Sequence, residues 1–269
     1  MTDLTVSAGR TTLLSGVTFR VAAGERVALV GRSGSGKSLT ASAVAGCTSP
    51  DLTVRGSIRL HGTPVAGIPA ARRRPESRAA MVFQESAAAL EPVTTVRRHL
   101  DLALRRRHPS AGDRRRAISS VLRAVDLDPD TVGPRRPAEL SGGQRQRVCI
   151  ALALAADAPL LVADEPTTAL DVVAARTVVD TLRAATTRPR GLVFVTHDLA
   201  VAAALCSRVV VLDGGVVVED APVRDVLDRP THPATADLVA RARSLALPSR
   251  PFLSSPPARQ SPSSPALAS

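Results

Sequence analysis

The 269 residues carry 35 Lys plus Arg against 24 Asp plus Glu, a formal net charge of +11 at pH 7, and 44% apolar residues with four Phe but no Tyr or Trp. That length gives core enough for one large α/β domain or two small ones, and the scarcity of rings means that Ala, Val and Leu must fill it. Basic clusters at 72–74, 97–98, 105–107, 114–116 and 135–136 lack the interleaved aromatic platforms of a single-strand binder, so no nucleic-acid partner is expected; solvated arginine-rich helix faces, or attraction to an anionic membrane leaflet, account for the charge.

Cys47, Cys149 and Cys206 are too widely spaced for a Cys-x-x-Cys metal site. They read as small buried hydrophobes in a reducing cytosol. The N-terminus shows no apolar signal-peptide run. The longest apolar stretch, 148–163, is interrupted by Asp157 and Pro159 and is too short to span a bilayer. A chain soluble by itself is expected.

In chain order, Val/Leu-rich runs at 4–6 and 17–21 predict edge strands. Residues 26–30 predict a buried strand running into a glycine loop, and 37–45 a helix. Residues 55–60 and 79–83 predict further strands. From about 86 to 156 strand runs give way to helical spacing, at Leu100, Leu102 and Leu104 and then at Ile118, Val121, Leu122 and Val125, which predicts a helical insert. Alternation resumes with strands at 160–163, 192–195 and 209–212, and helices from about Leu170 and Leu199. Asp213, Gly214 and Gly215 before 216–218 predict a hairpin. Such alternation implies a largely parallel sheet covered on both faces. Beyond residue 247 the Ser/Pro-rich stretch 248–269 predicts disorder.

Lys37 is the sole lysine, and it stands in GRSGSGKS at 31–38. This matches G-x-x-x-x-G-K-[ST], whose backbone N–H groups cradle phosphates while the following helix adds its positive end. A compact ammonium fits between β- and γ-phosphates where a planar guanidinium does not. Gly31, Arg32, Ser33, Gly34, Ser35, Gly36, Lys37, Ser38 and Leu39 are therefore the candidate nucleotide-binding residues, and Ser38 a candidate Mg²⁺ ligand. Residues 160–166 form an apolar run ending in Asp164 and Glu165. Asp164 suits Mg²⁺ and Glu165 an attacking water, although an acidic pair ahead of a helix also satisfies the dipole alone. Ser141, Gly142 and Gly143 at a helix start make a second anion device.

At Leu140, Ser141, Gly142, Gly143 and Gln144 the sequence resembles the signature of the ATP-binding-cassette (ABC) ATPases. The other family landmarks follow in order: Gln84 resembles the Q-loop, Asp171 the D-loop and His197 the switch histidine. The resemblance spans about residues 2–245. It implies a P-loop NTPase-type α/β fold with a largely parallel sheet, flanking helices, an N-terminal antiparallel β subdomain and the helical insert, all within 1–247. Residues 83–92, 163–171 and 229–233 further resemble the subfamily energising dipeptide, oligopeptide and nickel import. One departure is Ala8, where the family places an adenine-stacking aromatic.

The resemblance implies ATP and Mg²⁺ as cofactors, with Ser38, Gln84 and Asp164 at the metal. It implies Glu165, His197, Gln84 and Lys37 as catalytic residues, and Ser141, Gly142, Gly143, Gln144 and Asp171 as nucleotide contacts made across a head-to-tail pair. The implied partners are a second ABC ATPase subunit, two integral-membrane permeases and an extracytoplasmic solute-binding protein. The implied place is the cytoplasmic face of the membrane. The alternative is a soluble ABC ATPase serving a multi-protein enzyme or nucleic-acid work.

Overall fold

The structure, a computed structural model, describes residues 1–84, 89–186 and 189–245. The tail 248–269 and the first residues of the expected insert, 86–88, lie outside them. In chain order the strands are β1 (Thr2–Ala8), β2 (Thr11–Val17), β3 (Arg26–Val30), β4 (Leu52–Ser57), β5 (Arg59–Leu60), β6 (Thr63–Pro64), β7 (Ala79–Val82), β8 (Leu160–Asp164), β9 (Gly191–Thr196), β10 (Arg208–Asp213) and β11 (Val216–Pro222). The α-helices are α1 (Lys37–Ala45), α2 (Val96–Leu104), α3 (Ala111–Ala124), α4 (Pro129–Val132), α5 (Gly142–Ala155), α6 (Val172–Ala185), α7 (Leu199–Leu205), α8 (Val223–Asp228) and α9 (Pro233–Leu245).

Six strands make the main sheet in the order β11-β10-β3-β9-β8-β7, parallel throughout except for β11. Both faces are covered, so the middles of its parallel strands are near-continuous apolar runs rather than alternating ones. Period-2 geometry then sorts neighbours to opposite sides. Ala28, Val30, Leu161, Ala163, Leu192 and Phe194 face one cluster, and Val27, Leu29, Val162, Val193 and Val195 the other. The expected α/β class and the parallel sheet are borne out. The predicted hairpin is present too, with Gly214 and Gly215 at φ 54 and 82 joining β10 to β11, the left-handed pair a two-residue turn requires.

A separate antiparallel sheet, β2-β1-β4, packs over the second cluster. Here the expected strand at 17–21 is corrected: β2 ends at Val17. The Thr18 hydroxyl takes the N–H of Asp3 at 2.8 Å in place of a ladder bond, and Phe19 leaves the sheet to bury itself. The expected strand at 55–60 is also two pieces, β4 and β5, in different sheets, with Ile58 buried at the bend between them.

The described part of the insert holds helices α2 to α5 and no strand. Thr95 caps α2 by accepting the N–H of Arg98, and Ser110 caps α3 by accepting that of Asp113. Leu100 and Leu104 face inward at helical spacing with Ile118 and Leu122 opposite, and Leu102, two residues off that stripe, is exposed. The run of three leucines therefore misled: a period of two cannot share one helix face. These side chains join the cluster that holds Ala28 and Phe194, so insert and sheet share one core.

Arg73 fixes the lower end of α1. Its guanidinium is 4% exposed and donates to the carbonyls of Val44, Ala43, Val65 and Ile68, the last at 2.8 Å. Burial lowers its pKa, and among the described residues no carboxylate pairs with it; four carbonyl oxygens of a helix end and its neighbouring turn solvate it instead. Arg73→Met is expected to cost about 2–4 kcal/mol because buried carbonyls lose their donor. A lowered urea midpoint at unchanged slope is the expected reading, and an unchanged midpoint would remove the argument.

Candidate functional site

The C-terminal ends of β3, β7, β8 and β9 share one edge of the sheet, and a cavity of about 1060 Å³ opens there. Open α/β sheets hold ligands at this edge. Its walls combine residues 31–34 and 36–39 from the loop after β3 with Gln84, Glu165 and His197 from beyond β7, β8 and β9. Four segments remote in sequence thus converge. Ser35 is the exception within the loop: its side chain is buried and its hydroxyl has no partner among the described residues.

The loop is built to leave donors free. Gly36 at φ 98 opens α1 without any side-chain cap, so the first N–H groups and the positive helix end face the cavity. A β-carbon at Gly31 would collide with the carbonyl oxygen of Leu212, and one at Gly36 with the side chain of Leu14. Only glycines let the loop lie this close to β10 and β2.

Lys37 is 5% exposed, and its Nζ donates to the carbonyls of Gly31 at 3.0 Å and Arg32 at 2.9 Å. Burial lowers its pKa, opposed by the charges of Glu165 and Asp164. Ser38 Oγ donates to Asp164 Oδ1 at 3.1 Å. Burial raises the Asp164 carboxyl above its ordinary range; the Ser38 hydrogen bond opposes this, the neighbouring Glu165 adds to it, and Lys37 opposes it again.

Glu165 sits at φ 44, an uncommon left-handed position for a side-chain-bearing residue. Its N–H reaches the carbonyl of Val195 at 2.9 Å, which ties the turn to β9. Thr168 Oγ1 donates to Glu165 Oε2 at 2.9 Å, and His197 Nδ1 lies 3.1 Å from the same oxygen. Thr168 was not legible as a site residue, since its contact depends on the tight turn between them.

A phosphate chain fits this cleft because an uncapped helix end and a buried ammonium converge on it. Mg²⁺ also fits: the Ser38 hydroxyl and Asp164 carboxylate are hard oxygen donors, and this ion completes its shell from phosphates and water. No group of three or more His, Cys, Asp or Glu able to hold a metal occurs among the described residues.

Ser141, Gly142, Gly143, Gln144 and Asp171 do not line the cavity. Ser141 caps α5 in a reciprocal box with Gln144, each side chain taking the other's backbone N–H at 3.2 and 3.1 Å. Asp171 caps α6, accepting from Ala174 at 2.8 Å. Ala8 ends β1 opposite Thr11 and Leu52, outside the cavity wall. Leu13, Leu238, Arg241 and Ser244 do line it. Sequence reasoning missed all four, because β2 and α9 reach the edge only through tertiary packing.

The family model described as ABC transporter matches residues 14–168. The chain belongs to the ABC transporter family. Among its relatives it is 42% identical over 234 residues to the oligopeptide transport ATP-binding protein OppD of Mycobacterium tuberculosis, covering 85% of this chain and 38% of that one. It is 39% identical over 236 residues to the nickel import ATP-binding protein NikD of Brucella suis, covering 87% and 88%. The chain thus spans well under half of the mycobacterial relative and most of the nickel-import one.

Among solved ABC structures, an ATP-binding cassette in a dimeric post-hydrolysis state bound to ADP and Pi shares 27% identity at TM-score 0.68, over 82% of this chain and 99% of that one. The ATP-binding subunit of another ABC transporter shares 28% at TM-score 0.69, over 90% and 100%. The family expectation drawn from residues 140–144 and its companions is therefore borne out, as is the cassette fold.

The raised pKa of Asp164 has a consequence for the ABC cassette alone. In the unfolded chain this carboxyl ionises near 3.8 while the folded one resists, so its own contribution to stability falls as pH rises above that value. Asp164→Asn is expected to raise the melting temperature of the Mg²⁺-free protein at pH 7. The gain should disappear toward pH 3–4. A lower melting temperature at pH 7 would contradict it.

Proposed function

We propose that this chain is the ATP-hydrolysing subunit of a membrane importer for peptides or a related small solute, of dipeptide, oligopeptide or nickel type. The observation that carries this reading is the convergence of Lys37, Ser38 and the Glu165–His197 pair on one cavity, with Asp164 bonded to Ser38 behind its wall. The relatives named for oligopeptide and nickel import support the solute class.

ATP is the substrate. Its β- and γ-phosphates take the N–H groups of residues 33–38, and Lys37 exchanges the Gly31 and Arg32 carbonyls for phosphate oxygens. Ser38, Asp164 and Gln84 would hold Mg²⁺, which when bound neutralises charge developing on the phosphates. Glu165 polarises the attacking water while Thr168 and His197 fix its carboxylate. His197 and Lys37 stabilise charge on the transferring group.

Ser141, Gly143 and Gln144 serve the site of a second ABC ATPase subunit, with Asp171 beside them. Two features support such a pairing: these residues stand outside their own chain's cavity, and Val172 and Val173 next to Asp171 are 73% and 76% exposed. ATP then stabilises the closed pair, because only that state satisfies both ends of the triphosphate. No helix among the described residues is long and apolar enough to cross a membrane. Two integral-membrane permeases and an extracytoplasmic solute-binding protein complete the machine, with this chain peripheral on the cytoplasmic face.

Lys37→Arg is expected to abolish most steady-state ATP hydrolysis while keeping the charge, a loss of about a hundredfold; turnover near wild type would refute the role given to the ammonium. Glu165→Gln is expected to trap an ATP-bound pair, seen as a shift to dimer size on gel filtration with Mg·ATP. The same elution volume with and without nucleotide would count against the shared site.

A further inference from the structure

We infer that Arg241 is a nucleotide-contacting residue, through which α9 adds a second strong cation to the phosphates cradled by residues 31–38. This rests on the reading of the cavity as an ATP site. Helix α9 is held firmly enough to present a side chain. Glu219 on β11 is 9% exposed, and its carboxylate accepts the N–H groups of Thr231 at 3.2 Å and His232 at 3.3 Å, which pins the turn opening the helix. Leu238 and Val239 are buried, and Arg243 donates to the carbonyl of Leu227 at 2.7 Å.

Leu238, Arg241 and Ser244 recur every third residue, so they share one helix stripe. All three line the same cavity as Lys37, Glu165 and His197. Leu238 is the buried root of that stripe and Arg241 its exposed, charged part. Among the described residues the Arg241 guanidinium makes no hydrogen bond or ion pair, whereas Arg114, Arg147, Arg190 and Arg208 each have a carboxylate partner. The acids at the cavity are already engaged, Asp164 by Ser38 and Glu165 by Thr168 and His197.

A guanidinium without a partner among the described residues, on the wall of a cavity that ends at an uncapped helix N-terminus, matches phosphate. Its planar fork donates two parallel N–H groups to a pair of phosphate oxygens, a stronger contact than a neutral donor supplies. Lys37 approaches the same chain from the loop side, so the triphosphate is gripped from two elements separated by most of the sequence. A guanidinium can also stack on a base; the test separates that use from this one.

The experiment measures binding of Mg·ATP and of inorganic tripolyphosphate to the full chain by calorimetry, for the wild type, Arg241→Gln and Arg241→Lys. Arg241→Gln is expected to weaken both ligands by about tenfold or more, the cost of one charge-assisted contact. Arg241→Lys, which keeps the charge without the fork, is expected to fall between the two. Unchanged affinity for both ligands overturns the inference. A loss confined to ATP, with tripolyphosphate unaffected, also overturns it and assigns the guanidinium to the base. Failure of the wild type to bind Mg·ATP would instead strike the proposed function itself.

Discussion

Everything at the candidate site depends on how closely the loop of residues 31–38 lies against the end of β10. β3 occupies the middle of the sheet, bonded to β10 on one side and β9 on the other. The chain leaving it must turn at once into α1 on one face, between the carbonyl of Leu212 and the side chain of Leu14. That passage is only as wide as backbone. At Gly31 and Gly36 side chains are thereby excluded, and there the peptide backbone itself faces the ligand space. The hairpin of β10 and β11, far away in sequence, acts as a wall that keeps the loop in shape: the N–H of Gly215 reaches the carbonyl of Ser35 at 3.2 Å.

Charge at this cavity is held against the cost of burial. Lys37, Asp164 and Glu165 lie close together, and burial opposes the charged form of both Lys37 and Asp164. A hydrophobic core of Val, Leu and Ala surrounds them on both faces. Lys37 bonds to loop carbonyls, and the acids take other partners: Ser38 for Asp164, and Thr168 with His197 for Glu165. An anionic ligand with its counter-cation would offset the burial of these charges. The left-handed backbone at Glu165 belongs to the same pattern, since local strain collects where chemistry is positioned.

Much of this was legible in the sequence, and the exceptions have physical causes. Strands β3, β8, β9 and β10 are continuous apolar runs because both sheet faces are covered, and such runs announce themselves. The loop and its lysine were legible because backbone geometry demands glycine at fixed spacing. The error at 17–21 arose where the Thr18 side chain competes for a ladder hydrogen bond, an event invisible to periodicity. Leu102 was misjudged because three alternating leucines mimic a strand pattern inside a helix. Thr168, Leu13 and Arg241 reach the site only through turn geometry or packing, and nothing in their local sequence marks them. Glu219 likewise reads as an ordinary strand residue, although it secures the helix that carries Arg241.

The box that caps α5 carries a further consequence. A serine hydroxyl has one proton to give and two lone pairs to receive with. In Ser141 a lone pair is taken by the N–H of Gln144, and the Gln144 amide oxygen is occupied by the N–H of Ser141. Each side-chain oxygen has therefore committed one of its two lone pairs to the cap. What the helix start turns outward is weighted toward donors: the hydroxyl proton and the N–H groups of a helix end. Water competes poorly for such a surface compared with a ligand rich in acceptor oxygens and poor in protons. A surface so weighted toward donors is poorly matched to another copy of itself and better matched to a group rich in acceptor oxygens.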